Sequence, residues 1–315
     1  MNATITSSIP IRRPCPAPGV PAWADAWIAE SSDPLATTTA DFATGVAATA
    51  RHGLRYSGVT ARIDHARQRN DLDLQHAVVR AYELIREALT HAPDGPRTPL
   101  RFWNFVPGIV NETGGDLDRY MVFNAGRFAA FADWFRDTSE TTFNRSAFNQ
   151  RIPTATGVGH AGDDLIVHVL AAAVPGKPIE NPRQRAAYRY SARYGPLPPC
   201  FARATLVPGV NQAPRHLLIG GTASVCGETS VFNGDLKSQT AETFRNLEAL
   251  IRAAGGKGLE SLISLRAYHT HLHHRDALQD AVDKHAAFFD APIEWIHAPL
   301  CRRDLDIEIE GVASI

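Results

Sequence analysis

The amino-acid sequence predicts an α+β protein made of two α/β units in series, and three observations carry that expectation. The first is Leu217–Ile251, where a short apolar run passes through a polar turn into an amphipathic helix. Thr240, Phe244, Leu247 and Ile251 there recur at spacings of four, three and four. The second is that helical and strand periodicities follow one another in the same order in both halves. The third is GPLPP at Gly195–Pro199, which punctuates the chain between them. Order and spacing, without residue identity, suggest two copies of one unit; two unrelated α+β halves are the alternative. The expected organisation is an N-terminal arm at 1–45, a first half at 46–198 and a second at 199–315.

Taken in order, residues 1–45 are rich in Pro, Ala, Ser and Thr with little periodicity and read as an extended arm over the surface or as partly disordered. Leu74–Leu89 is an amphipathic helix stopped by HAPDGP, and Leu100–Val106 a buried strand. A helix beginning near Asn124 carries Phe128, Phe131 and Phe135 on one face; Leu165–Val174 is a strand closed by Pro175 and Gly176. In the second half, the strand from Leu217 to Cys226 contains Gly220 and Gly221, which allow a bulge or a close approach that a larger side chain would block. A helix over 238–253 ends at Gly255 and Gly256. Strand 260–268, helix 275–289, strand 293–297 and strand 304–310 follow. A cleft between the halves is the expected place for a small-molecule site.

Composition excludes several classes of function. With 315 residues, 44% hydrophobic, and a net charge of -1, the chain is an ordinary soluble one. It has no Lys/Arg run longer than two, so no footprint for nucleic acid. No segment approaches the roughly 18 apolar residues of a membrane span, and a cytoplasmic protein is expected. Cys15, Cys200, Cys226 and Cys301 lack CxxC spacing, which argues against zinc and against a disulfide framework. His269, His271, His273 and His274 alternate like ligands, but the segment straddles a strand-to-helix junction and no Cys or carboxylate stands at matching spacing. No metal is expected. GxGxxG, P-loop, GxSxG and HExxH motifs are also missing.

The last strand has the cleanest alternation. Leu305, Ile307 and Ile309 point one way; Asp304, Asp306, Glu308 and Glu310 point the other. A solvated face is the plain reading. The chemical reading is that carboxyl groups two residues apart, about 7 Å, raise one another's pKa, as a general acid near neutral pH requires. Such a face repels an anionic substrate unless cations intervene, and arginines provide bidentate donors. Cys301, read from the residues alone, is a buried structural thiol.

The GTAS strand with its NGD, SQT and NLEAL continuation resembles the core of the YjgF-like reactive-intermediate deaminases. Added to RFWNFVPGI, NAGRFAAF, PTATGVGH, YRYSARYGPLPPCFARA and LCRRDLDIEIEG, in this order, it makes residues of roughly 50 to 315 resemble the chorismatases. The resemblance implies two YjgF-like units, chorismate as the small-molecule substrate, and no cofactor. It implies Glu308 as proton donor, with Arg203 and Tyr194 as substrate-binding residues; Arg127 is the candidate cation from the first half. Cys301 and Gly227 match a type that forms aromatic products, whereas the diene-diol type carries Ala in the strand-turn. Arg302 and Arg303 would lower the Cys301 pKa if they face it. The expected products are a hydroxybenzoate, 3-hydroxybenzoate ahead of 4-hydroxybenzoate, and pyruvate. The alternatives are a hydrolase giving a dihydroxycyclohexadiene carboxylate, and a YjgF-like binding module or imine deaminase. A monomer or a homotrimer is expected.

Overall fold

The inward faces of two six-stranded sheets share one core, and each sheet carries its helices on the outside. The computed structural model describes residues 17–29, 35–41, 43–136, 148–209, 214–272, 275–286 and 289–315. The first sheet contains β1 (Leu35–Asp41), β2 (Val46–His52), β3 (Tyr56–Ile63), β4 (Thr98–Pro107), β5 (Thr154–His160) and β6 (Leu165–Ala172), in the order β1-β2-β3-β6-β4-β5. The second contains β7 (Lys177–Ile179), β8 (Ala204–Val207), β9 (His216–Ala223), β12 (Leu262–His269), β13 (Ile293–His297) and β14 (Ile307–Ser314), in the order β13-β12-β14-β9-β8-β7. A small hairpin, β10 (Val225–Cys226) with β11 (Thr229–Ser230), follows β9. Counted from its own first strand, each sheet has the order first, second, third, sixth, fourth, fifth, with only the fourth–fifth pair parallel.

Helices occupy matching places in the two halves. α2 (Asp71–Thr90) and α3 (Arg119–Trp134) cover the first sheet; α4 (Leu236–Ala253) and α5 (Arg275–Ala286) cover the second. Asn70 caps α2 by accepting the Asp73 N–H, and Asp235 caps α4 by accepting that of Ser238, so each helix starts where a short polar side chain satisfies a free donor. α2 buries Leu74, Ala77, Val78, Ala81, Ile85 and Leu89 on one face. It packs close against α3 because Gly126 has no side chain: a Cβ there would lie 2.7 Å from the Gln75 carbonyl oxygen. Between the sheets, Trp103, Phe105 and Leu170 of the first meet Leu218, Tyr268 and Val312 of the second.

The first correction concerns residues 1–45. Those described there do not form an extended arm: α1 (Ala22–Ile28) buries Ala24 and Ile28 in the inter-sheet core, and β1 pairs with β2 along seven residues. Each element has seven residues, too few for a period to emerge, and the sequence of β1, LATTTAD, lacks the apolar alternation of a half-buried strand. The boundary at 46 therefore falls inside the first sheet. The boundary at 199 falls inside the second, because β7 belongs to it. The last strand begins at Ile307, not 304, and runs to Ser314 with both faces buried, so its acidic face is not solvated. Among the described residues, no helix is long and apolar enough to cross a membrane.

The placement of α1 can be tested through Ile28, whose side chain fills the space above Gly58. Ile28→Ala is expected to destabilise the protein by about 2–5 kcal/mol in urea unfolding. A substitution on a loose arm would change the unfolding free energy by less than about 0.5 kcal/mol.

Candidate active site

A cavity of about 390 Å³ opens where the two halves meet. β5 lines it with Thr156 and Gly157, α3 with Arg127 and the neighbouring Tyr120, β9 with Gly221 and Ala223, and β14 with Glu308. The connection between β7 and β8 adds Tyr190, Tyr194, Phe201 and Arg203, and the approach to β14 adds Cys301 and Arg302.

The seat of Glu308 is made by a bulge in β9. Ile309 stands opposite Thr222 and Gly311 opposite Ile219, so Gly220 and Gly221 together face the single residue Glu310. A Cβ on Gly221 would lie 1.9 Å from Glu308 Oε1; the glycine is what leaves room for the carboxyl group. Glu308 is only 5% exposed. Burial pushes its pKa up to about 8, the Glu310 charge adds to the rise, and Arg101, Arg203 and Arg302 oppose it. At neutral pH this carboxyl group carries its proton.

Glu310, two residues on, has a different environment. Its carboxylate accepts from Arg101 Nη2 at 2.7 Å, Trp103 Nε1 at 2.8 Å and the Thr156 hydroxyl. The Thr156 oxygen in turn accepts from Arg101 and from the Gly221 N–H at 2.9 Å. Glu310 is thus anchored across the sheets while Glu308 faces open volume.

The cavity wall is cationic. Arg127, Arg193, Arg203, Arg302 and Arg303 line it against Asp118, Asp304 and Glu308. Arg203, 5% exposed, donates from Nη2 to the Arg185 carbonyl at 3.0 Å and to the Tyr190 hydroxyl at 2.6 Å. Arg127, 1% exposed, donates to Asn124 Oδ1 at 2.7 Å. The Nε of each is buried, with no hydrogen-bond acceptor among the described residues. Tyr194 lines the cavity, but its hydroxyl donates to the Glu228 carbonyl. Arg302 packs 4.2 Å over the Tyr194 ring and donates to the same carbonyl at 2.8 Å and to Ser230 Oγ at 3.2 Å.

Cys301 lines the cavity, yet its thiol is not activated. Burial first and the Glu308 charge second push its pKa up to about 12, with Arg302 opposing only in part, because that guanidinium is engaged by Tyr194, Glu228 and Ser230. Arg303 points elsewhere, donating to the Val110 carbonyl. Arg302 thus lowers this pKa, as expected of it if it faces the thiol, but is outweighed by burial; the expectation is corrected for Arg303. So is the placement of Gly227: it is absent from the cavity lining, and with φ 60° it forms the turn of the β10–β11 hairpin, bonded to Arg183 and Arg185. The residue after β9's bulge that does face the cavity is Ala223.

Of the histidines, His269 is buried beside Trp295 and His297, and its Nδ1 lies 3.2 Å from the His271 carbonyl. His273 and His274 lie outside the described residues. Among the described residues no three His, Cys, Asp or Glu side chains gather to hold a metal. Reasoning from sequence did not single out Thr156, Tyr190 or the binding position of Arg302. The RR pair after Cys301 was the one available signal, and it pointed to the thiol instead of the tyrosines.

A buried carboxyl group over a glycine bulge, on the wall of a cavity lined by arginines, suits a small anionic molecule. Comparison with known proteins makes that general reading particular. The family model for Chorismatase FkbO/Hyg5-like, N-terminal, matches residues 36–171. A 3-hydroxybenzoate synthase of Streptomyces hygroscopicus is 33% identical over 75% of this chain and 67% of its own length. A chorismatase of Streptomyces rapamycinicus is 29% identical over 68% of this chain and 63% of its own. A chorismatase crystal structure superposes with a TM-score of 0.72 at 27% identity, covering 89% of this chain and 80% of that one. The chain belongs to the chorismatase family.

The proton on Glu308 can be observed directly. In infrared difference titration against Glu308→Gln, the protonated-carboxyl band is expected to persist at pH 6–7 and to disappear around pH 8. Because Glu310 helps to raise this pKa, Glu310→Gln is expected to move the disappearance to lower pH. A band already missing at pH 6 in the parent protein would contradict the burial of this group.

Proposed function

We propose that the chain converts chorismate to 3-hydroxybenzoate and pyruvate, with Glu308 as the general acid. The observation that carries this reading is the buried Glu308 carboxyl group, its pKa pushed up to about 8 by burial, facing a cavity with five arginines on its wall. Chorismate carries two carboxylates and an enol ether. The arginines supply charge-assisted donors for the first, and a neutral acid supplies the proton for the second. Arg203 and Arg127, both on the cavity wall, hold the carboxylates; Tyr194 acts chiefly by holding Arg302 at the wall.

Protonation of the enol-ether methylene by Glu308 gives an oxocarbenium ion. Capture of that cation by the neighbouring ring hydroxyl, which gives up its proton, forms a cyclic ketal. Loss of the proton on the ether-bearing ring carbon, with cleavage of the bond between the capturing oxygen and the ring, aromatises the ring. The hemiketal left behind breaks from the ring oxygen, releasing pyruvate and leaving that oxygen as the hydroxyl of the aromatic acid. Hydroxybenzoate plus pyruvate contains the same atoms as chorismate, so this branch needs no co-reactant and returns the proton it consumed. Cys301, held as a neutral thiol beside Glu308, does not attack; it shapes the wall against which the ring settles after the first step. The relative named for 3-hydroxybenzoate supports the aromatic outcome.

One observation favours a second reading. Ala223, not Gly227, faces the cavity from the strand-turn, and alanine in the strand-turn is the mark of the type that lets water capture the cation and so gives the diene-diol. We also infer that the two halves are YjgF-like units derived from one ancestor; the shared strand order and helix positions support this.

Incubation with chorismate and chromatography of the products separates these outcomes. Release of pyruvate with 3-hydroxybenzoate is expected; a dihydroxycyclohexadiene carboxylate would establish the second reading, and no consumption would exclude both. Glu308→Gln, which keeps size but has no proton to give, should lower kcat by roughly 10²-fold or more with the melting temperature unchanged. Cys301→Ala should still consume chorismate but shift the product away from 3-hydroxybenzoate. An unaltered product distribution would reduce the thiol to packing.

A further inference from the structure

The β9 bulge leaves the Gly221 N–H without a partner on β14, since two residues of β9 face only one there. That donor goes instead to Thr156 Oγ1 at 2.9 Å, a side chain from the other sheet. A threonine hydroxyl has one proton and two lone pairs, and here all are used: Gly221 N–H and Arg101 Nη2 donate to it, and it donates to Glu310. The arrangement has a direction. Arg101 and Trp103 fix Glu310, Glu310 orients the hydroxyl, the hydroxyl holds the backbone of Gly221, and the Glu308 carboxyl rests on the face of Gly221 where a Cβ would be.

We propose that Thr156 is a positioning residue for the acid, fixing the Gly221 bulge from the opposite sheet so that the Glu308 carboxyl group stays aimed into the cavity. The inference rests on Glu308 being the proton donor. Its consequence is a division between binding and chemistry. The arginines that meet an anionic ligand are on other elements, so loosening Gly221 leaves them in place, whereas a displaced carboxyl group delivers its proton poorly. Misplacement by about 1 Å is enough to cost on the order of 10²-fold in rate.

The test uses the full chain with chorismate and compares Thr156→Val, which keeps the shape but removes the hydroxyl, with Thr156→Ser, which keeps the hydroxyl. Thr156→Val is expected to lower kcat by about 10- to 100-fold while KM changes by less than about threefold. Thr156→Ser is expected to stay within about threefold of the parent in both. A rise in KM at unchanged kcat would overturn the proposal, because it would mean that Thr156 contacts substrate and nothing more. So would a loss in Thr156→Val that Thr156→Ser shares, which would assign the effect to the methyl group. If Thr156→Val does not fold, Thr156→Cys, near-isosteric with a weak donor and acceptor, replaces it, and a kcat between those of parent and Glu308→Gln is expected; a parental kcat would sink the idea. Glu308→Gln measured alongside keeps two failures apart. An active Glu308→Gln overturns the assignment of the acid, whereas an inactive Glu308→Gln with a fully active Thr156→Val overturns only the role of Thr156.

Discussion

The ion pair between Arg101 and Glu310 ties the two sheets together at the point where the cavity begins. Arg101 is 1% exposed and Glu310 2%. Placing both charges there costs several kcal/mol of hydration, which the 2.7 Å contact offsets with the help of two further donors to the carboxylate, Trp103 and Thr156. Removing one partner of such a pair typically costs about 3–5 kcal/mol, since it strands the other charge. The arrangement therefore specifies register more than it adds stability. A slip of β14 by one residue would bring an apolar side chain to Arg101 and turn Glu308 into the opposite face. The bulge, the seat on Gly221 and the direction of Glu308 all follow from that register.

The same pair makes two chemically identical side chains unlike. Glu310 is held by donors from Arg101 and Trp103; Glu308 has a buried position with its neighbour's negative charge nearby. Two carboxyl groups separated by one residue thus divide into an anchor and an acid. The arginines at the wall complete the electrostatics: they attract an anion without sitting so close to Glu308 that they strip its proton.

Much of this was legible in the sequence, and the unreadable parts share a cause. Period 3.6 marked α2 and α4 within a few residues, and the paired glycines at 220 and 221 announced a close approach that proved to be the seat of Glu308. The alternation of the last strand predicted which residues share a face, but the residues alone left open whether that face is solvated, because a second sheet packed on it cannot be inferred from one strand. α1 and β1 were too short to show a period. Thr156 was invisible for a similar reason: its importance lies in touching Gly221, 65 positions away, and Glu310, 154 positions away. Gly227 was misplaced because one glycine looks like another in sequence; its positive φ marks a turn, whereas the glycine against the acid is Gly221.

The contact between Arg101 and Glu310 spans 209 positions. During synthesis at about 5–20 residues per second, a first half whose last strand, β6, has just been made waits for roughly seven seconds or more before β14 arrives. Through that interval the inward face of its sheet, with Trp103, Phe105 and Leu170, has no partner, and Arg101 has no counter-ion. Long-range closure of this kind is slow and exposes apolar surface to aggregation. The nascent first half is therefore the stage at which a chaperone would matter most, and the cavity takes shape only once the last strand has docked.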